Sequence, residues 1–282
     1  MLSSQFDNKL KEMMKTPSVH IEDITLSARQ LRQLCAGIRK KGDAKGLEAL
    51  LLFNCGLDDA SAKALAESIP YCPNLKWLGL SFNLIDEEGA KTLAKAISRC
   101  PKLLVLNFHD NSIDDAGAKD LAEAISYCPN LQGLDLSYNS IGDEGAKAVA
   151  QAIPRCPDLH CLDLNGNFIG GAGAKALAES IPHCPNLHVL YLDDNTIGKA
   201  GSKAVAKAIP YCPKLQVLWL SFNFIGEAGA KALAESIPPG LNLKELYTSR
   251  DNYTLATADL IEAALDGPRC PPEVHCNIPN YE

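Results

Sequence analysis

No stretch of this sequence approaches the eighteen or more consecutive apolar residues of a membrane-spanning helix, so a span of that kind is excluded. The first twenty residues, MLSSQFDNKLKEMMKTPSVH, lack the apolar run of a signal peptide, and the expected setting is a cytosol. Clusters of Lys and Arg are missing too. With 27 basic against 34 acidic side chains, a net charge of −7 and a pI near 5.4, the chain has little with which to neutralise a phosphate backbone. Neither a nucleic-acid nor a membrane partner is expected, and a basic protein suits the balance better. Motifs of catalysis are absent: there is no Gly-rich phosphate loop, no H-E-x-x-H and no G-x-S-x-G, and no insertion long enough to shelter a reaction from water. The chain is accordingly expected to be no enzyme and to need no cofactor.

What the sequence does have is repetition. Leucine recurs every 28 residues at Leu47, Leu75, Leu103, Leu131, Leu159, Leu187, Leu215 and Leu243. Each opens a longer phrase, such as Leu75, Leu78, Leu80, Asn83, Ile85, which returns as Leu131, Leu134, Leu136, Asn139, Ile141 and as Leu215, Leu218, Leu220, Asn223, Ile225. This is the L-x-x-L-x-L-x-x-N-x-L signature of the leucine-rich repeat. Cys55 replaces Asn in the earliest aligned repeat, and Ile21, Ile24, Leu26 and Leu31 sketch an irregular repeat before it, offset by 26 residues.

Each half of the repeat has a physical reason. From Trp77 to Ser81 apolar residues alternate, as on a strand with one buried face. From Glu87 to Ile97 the set Ala90, Leu93, Ala94, Ile97 follows the i, i+3, i+4, i+7 stripe of an amphipathic helix. Acidic Asp86, Glu87 and Glu88 suit the positive end of its dipole, and Pro or Ser at 70, 98, 126, 154, 182, 210 and 238 should stop the helices. Strands stack about 4.8 Å apart, whereas helices need roughly 8–10 Å, so the sheet should line the inside of an arc. The expectation is an α/β solenoid, a horseshoe of about nine strands with a parallel sheet on the concave face and helices on the convex face.

Strings such as LDLSYNSIGDEGAKAVAQAI resemble the ribonuclease-inhibitor type of leucine-rich repeat, also seen in NOD-like receptors and some bacterial effector proteins. The resemblance covers roughly residues 20–265. It implies binding without catalysis. The divisions expected are an amino-terminal capping segment over 1–20, a repeat domain over 21–265 and a Pro-rich tail over 266–282. Within the first, residues 5–14 carry Phe6, Leu10, Met13 and Met14 at near-helical spacing, and 254–265 read as a last helix. Gly240, Thr248 and Asp251 break the pattern where a terminal repeat would.

Six of the 11 cysteines fall at one repeat position, Cys72, Cys100, Cys128, Cys156, Cys184 and Cys212. Parallel stacking would point their Cβ vectors side by side rather than at each other, so they are expected as buried reduced thiols. Cys270, His275 and Cys276 have ligand chemistry but not a zinc spacing, and a structural site needs four ligands; a local disulfide or a plain loop fits better, and no metal is expected. Asn252-Tyr253-Thr254 is a formal glycosylation sequon, silent in a cytosol.

Alternation fixes the third, fifth and seventh residues of each repeat as those that face outward into the arc. Both tryptophans fall on these positions. The middle of the face is acidic, and aromatic groups flank it. The candidate partner-binding residues are Trp77, His109, Asp110, Asp135, Asp163, Tyr191, Asp193, Asp194, Trp219 and Tyr247. Large rings left in the open supply interface area while charge steers approach. Phe82, Tyr138 and Phe222, just before the repeated Asn, can be read as binding groups or as framework. The leading expectation is a monomeric module that docks a basic protein on the concave sheet. A secreted bacterial effector binding a host protein in the host cytoplasm, and a self-associating scaffold, remain open alternatives.

Overall fold

A chain with a 28-residue period can place every repeat in the same register, and the computed structural model does so. It describes residues 10, 12–13, 15–43, 46–238, 241–248 and 253–265. Of the capping helix expected over 5–14 only Leu10, Glu12 and Met13 are among them, with Leu10 buried in the core. Gly240, Asp251, Asn252 and the tail 266–282, with Cys270, His275 and Cys276, lie outside the described residues.

Among the described residues nine strands form one parallel sheet in chain order: β1 (Ser18–Glu22), β2 (Ala49–Phe53), β3 (Trp77–Gly79), β4 (Val105–Asn107), β5 (Gly133–Asp135), β6 (Cys161–Asp163), β7 (Val189–Tyr191), β8 (Val217–Trp219) and β9 (Glu245–Tyr247). Between them run α1 (Ala28–Asp43), α2 (Asp59–Ala66), α3 (Glu87–Ile97), α4 (Asp115–Ile125), α5 (Asp143–Ala152), α6 (Gly171–Ser180), α7 (Gly198–Ala208) and α8 (Gly226–Glu235), with α9 (Leu255–Ala264) after the last strand. Each helix packs on the next, and the leucines of the strands meet the Ala/Leu/Ile stripes of the helices in one continuous core. This is the expected α/β leucine-rich-repeat solenoid.

From β2 onward the register steps by one repeat, as in Leu78 with Leu106 and Leu134 with Leu162. The first repeat departs. Val19 pairs with Leu50 and Ile21 with Leu52, an offset of 31 residues rather than the 26 expected from setting Ile21 against Leu47. Its helix α1 has 16 residues where α2 to α8 have 8 to 11, so the first repeat is longer and the sheet begins at Ser18.

The turn after each strand is closed by the repeated Asn. Asn83 Oδ1 accepts from the backbone N–H groups of Cys55 and Leu57, both at 3.0 Å. Its Nδ2 donates to the carbonyls of Leu52, Leu80 and Ser81 at 2.9, 2.9 and 3.0 Å. One buried amide thus satisfies backbone groups of two successive turns that no ladder reaches. Asn111, Asn139, Asn167, Asn195 and Asn223 make the same donations and each accept from one N–H, that of Ile85, Ile113, Ile141, Ile169 and Ile197. Cys55 replaces it with less: its thiol donates to the carbonyls of Ile21 and Phe53, and burial pushes that thiol up to about 11.

Helix starts are supplied in two ways. Asp58, Asp86 and Asp114 cap their own helices. At Gly142 and Gly170 the cap has no side chain, and the carboxylate comes from the helix before: Asp115 Oδ1 accepts from the N–H groups of Gly142 and Gly145 at 2.7 and 2.8 Å, and Asp143 does the same for Gly170 and Gly173. A Cβ at position 145 would stand 2.8 Å from that Asp115 oxygen, so glycine is required there by close approach. At the far end Glu227 accepts from Thr254 N and Thr257 Oγ1, tying α9 to α8.

The helices end before their prolines rather than at them. Pro70, Pro154, Pro182 and Pro210 sit second in short 3₁₀ turns that start at Ile69, Ile153, Ile181 and Ile209. Ser98, Ser126 and Ser236 are C-caps. The six cysteines of the row follow these ends as free buried thiols. Burial pushes Cys100, Cys128 and Cys184 up to about 12, far from thiolate chemistry at neutral pH.

Asn139→Leu keeps the branched outline of the side chain but strands one amide N–H and three carbonyls. Its urea midpoint should fall by the equivalent of roughly 3–5 kcal/mol. A loss below about 1 kcal/mol would mean that the ladder is dispensable.

Candidate functional site

The helices cover one side of the sheet, and the residues at the third, fifth and seventh repeat positions occupy the other. Parallel register places like positions side by side at about 4.8 Å. Along the fifth position the row runs Asn107, Asp135, Asp163, Tyr191, Trp219, Tyr247, with each residue paired to the next. Two carboxylates therefore stand on adjoining strands, and a run of three rings follows them. Tyr191 and Trp219 have centroids 4.4 Å apart, and Trp219 and Tyr247 are 5.3 Å apart in an edge contact.

Hydrogen bonds orient the acidic part. Asp135 accepts from Asn107 Nδ2 at 3.0 Å and from Ser137 Oγ at 2.5 Å, and Ser137 Oγ also meets His109 Nδ1 at 2.7 Å. Asp163 accepts from the backbone of Asn165 at 3.0 Å, and Asp193 accepts from that of Ser221 at 2.6 Å. His109 is the charged neighbour that favours the ionised form of Asp135, whereas Asp163 and Asp193 have no cation among the interactions described for them. Burial pushes all three carboxyls up: Asp193 to about 7, Asp135 above the usual range, and Asp163 well above it, where the neighbouring Asp135 and Asp193 add like-charge repulsion. Burial, and then the charge of Asp163, also raise the Tyr191 phenol.

A concave cavity of about 650 Å³ opens over this row, from Glu22 and Phe53 at one end to Tyr191 and Trp219 at the other. It brings together five of the expected residues, His109, Asp135, Asp163, Tyr191 and Trp219. Asp193 borders it through Asn165, whose side chain accepts from the Asp193 N–H. Trp77 lies at the third position with Lys76 Nζ 5.6 Å from its ring centre, away from the cavity lining. Asp110 and Asp194 are exposed on the rim beyond the strands. Tyr191 departs from expectation: it was taken for an open ring, and it is only 3% exposed, wedged between the register neighbours Asp163 and Trp219.

Several open rings stand on that rim, while Tyr71, Tyr127 and Tyr211 are open beside the cysteine row. Phe82, Tyr138 and Phe222 are 49%, 52% and 63% exposed and are joined by Leu84, Phe168 and Phe224, which sequence reasoning passed over. Phe82 and Tyr138 pack edge-on against His109 from either side, at 4.7 and 5.2 Å. Their position has left-handed backbone in every one of these repeats: φ is +57° at Phe82, +50° at Asp110, +52° at Tyr138, +59° at Gly166, +52° at Asp194 and +55° at Phe222. The presence of Gly, Asp and aromatic residues at one repeat position was the signal that could have shown this. Gly166 has a further use, since a Cβ there would stand 2.7 Å from the Tyr138 ring.

Among the described residues no group of three or more His, Cys, Asp or Glu side chains could hold a metal ion, and no helix is long and apolar enough to cross a membrane. The arrangement offers hydrogen-bond acceptors, negative charge held in partly desolvated surroundings, and aromatic faces.

The raised carboxyls make stability depend on pH with a definite sign. A folded-state value above the unfolded one means that the folded chain holds the proton more tightly, so this stability is full below about 3.8 and is lost as pH rises through the folded values, about 7 for Asp193. Between pH 5.5 and 8 the wild type should therefore weaken. Asp163→Asn removes one charge of the stack and should raise Tm at pH 8 by roughly 2–4 °C or more, with a flatter pH profile. Thermal melts at the two pH values check this; an unchanged slope would show that the stack carries no strain.

Comparison with known proteins gives the family. The model described as "Leucine Rich repeat" matches residues 99–122, 127–150, 155–178, 183–206 and 211–234, each match beginning 28 residues after the one before. It does not single out the ribonuclease-inhibitor type. No curated protein matches the sequence. Among solved structures the chain is similar to leiomodin-1 actin-binding site 2, at 16% identity and a TM-score of 0.47, covering 51% of this chain and 84% of that one. It is also similar to a plant ice-binding protein, at 17% identity and a TM-score of 0.47, covering 83% of this chain and 64% of that one, just under two thirds of its length. Neither likeness is close enough to bear on what this chain binds. The five matched repeats and the nine-stranded parallel sheet into which they fold make this chain a leucine-rich-repeat protein.

Proposed function

We propose that the chain is a non-catalytic recognition module, acting in a cytosol as a monomer, that holds a basic segment of a partner protein in its concave groove. Leucine-rich repeats generally present such surfaces to proteins. The observation that carries the reading is the in-register pair Asp135 and Asp163, with Asp193 beside it, between two sets of rings, where His109 faces Asp135 but no cation is described for Asp163 or Asp193. A Lys or Arg side chain would supply the missing charge. Its alkyl stem and cationic head fit the ring of Trp219, which lines the cavity and favours a cation over its face. Binding would draw the raised carboxyls into their charged form. The net charge of −7 speaks against a nucleic-acid or membrane ligand.

The rim supports the same reading through its energetics. Left-handed backbone costs a non-glycine residue roughly 1–2 kcal/mol, and an exposed ring regains little of that by burial. Phe222 carries that cost while 63% exposed. A partner covering the rim would give the ring a use.

Two variants test the proposal. Trp219→Ala with Asp163→Ala should keep the helical circular dichroism of the wild type and weaken binding to Lys/Arg-containing peptides on an array by about tenfold or more. Equal binding by this variant and the wild type would rule out the concave site. Phe222→Asn should stabilise the fold by about 1 kcal/mol in urea, because Asn tolerates the left-handed region, while lowering affinity for the same peptides. A destabilised Phe222→Asn would make this ring framework.

A further inference from the structure

A parallel sheet has one edge where every strand starts and another where every strand ends, and here the two carry opposite charge. In the strand-end turns and helix starts, 82–88, 110–116, 138–144, 166–172, 194–200 and 222–228, ten Asp or Glu stand against one Lys. In the loops that lead into the strands, 71–76, 99–104, 127–132, 155–160, 183–188 and 211–216, five Lys or Arg stand against one Asp. A chain with a net charge of −7 thus has one edge of the other sign.

Most cations of the strand-start edge are uncompensated. Lys76 pairs with Glu48 at 2.9 Å, but Arg99, Lys102, Arg155 and Lys214 make no ion pair among the described residues. Lys102 and Lys214 are each held by a neutral acceptor of the repeat before, Asn74 Oδ1 and Asn186 Oδ1, both at 2.6 Å. An amide oxygen orients an ammonium without cancelling its charge.

Open rings share this edge. The residue before each cysteine of the row runs Tyr71, Arg99, Tyr127, Arg155, His183, Tyr211, and all six are exposed, the tyrosines at 47%, 59% and 69%. The N–H of each following cysteine bonds to the carbonyl three residues back, so the six stand on the same local backbone. Successive repeats lie about 4.8 Å apart at the sheet and roughly 8–10 Å apart at the helices, so tyrosine and cation alternate from rung to rung. The dipoles of the helix ends favour a cation nearby, which accounts for Arg99 and Arg155. They give no reason for rings left in solvent, nor for Lys102 and Lys214 beyond the last helical turn.

We propose that the strand-start edge is a second docking surface, one that takes an acidic segment of a protein. Guanidinium groups meet carboxylates in a two-pronged fit, tyrosine hydroxyls donate to the remaining oxygens, and Tyr and Arg are the residues from which interfaces draw most of their energy. Charge complementarity also directs the approach, because the strand-end edge repels the same segment. A short run of carboxylates can meet the few cations of this edge locally. A nucleic acid would carry its charge on past them, into the field of a chain at −7. The edge is separate from the concave groove, and the inference does not rest on what the groove holds.

The test is the fluorescence anisotropy of a labelled decaglutamate peptide titrated with the full chain in about 50 mM KCl. Binding is expected, and it should weaken about fivefold or more in about 300 mM KCl. Arg99→Glu with Arg155→Glu should weaken it about tenfold or more. Lys119→Glu with Lys203→Glu makes the same change of net charge on exposed positions of α4 and α7, and should alter binding less than about twofold. Tyr71→Ser with Tyr127→Ser should weaken it about threefold or more at unchanged net charge. Every one of these side chains is exposed, and circular dichroism should match the wild type throughout. Absence of binding at low salt, equal loss in the two charge-reversed pairs, no effect of the tyrosine pair, or tighter binding of a ten-residue oligothymidylate overturns the acidic-segment edge. The Trp219→Ala, Asp163→Ala chain should bind decaglutamate as the wild type does. Loss there would move the acidic peptide to the groove and overturn the inference, whereas a groove that fails to hold Lys/Arg peptides would refute the basic-partner reading and leave the edge standing.

Discussion

One buried amide per repeat sets the terms for the rest of the molecule. The Asn side chain takes an N–H from the preceding turn, two in the case of Asn83, and gives hydrogen bonds to carbonyls of that repeat and the next, so the spacing between successive turns is fixed by bond lengths rather than by the packing of variable side chains. Every strand that follows is held one rung from the last, in an unshifted register. The strands themselves need only three residues each, because the turn does the aligning.

Strict register has a consequence for chemistry. Whatever stands at one repeat position meets its like on the next strand, about 4.8 Å away. For leucine that builds a core. For carboxylates it builds a stack in which burial, and then the charge of Asp135, raise the affinity of Asp163 for protons, and for aromatic residues it builds the run Tyr191, Trp219, Tyr247. The helices share this logic: Asp115 and Asp143 cap the helix after their own because the repeat brings the right N–H groups within 3 Å.

The framework was legible because each of its residues answers to one local rule. Leu78, Asn83 and Ala90 could be assigned a side and a role from spacing alone, and nine strands followed. The first repeat was misread at Ile21, since the length of α1 has no signature in the strand pattern and register there is decided by where the helix ends. In the groove, alternation showed which side chains face inward but not how closely neighbours cover them. Tyr191 was read as open, yet with Asp163 and Trp219 in register on either side it is only 3% exposed. The rim at Phe222 was harder still, because a positive φ is invisible in a phenylalanine codon by codon and shows only when Gly166 and Asp194 are set beside it. Capping by Asp115 likewise acts between repeats.

These cases separate residues the fold requires from residues it merely tolerates. Leucine, Asn, Ala and Gly at their fixed positions each lower the free energy of the solenoid, and substitution there is opposed by packing or by unsatisfied backbone. Asp163, in register with another carboxylate and pushed toward its protonated form, does the reverse, as does Phe222 in the left-handed region. A scaffold built of identical rungs could carry Asn or Ser at the first position and Gly or Asn at the second with less strain, and Asn165 and Gly166 show both kinds of residue on this same face. Strain confined to one face, at positions free of structural demand, is what a surface shaped for a second molecule should display. The groove is therefore where the fold gives up stability, and that concentration of unfavourable choices, more than exposure alone, is what marks it as the candidate site.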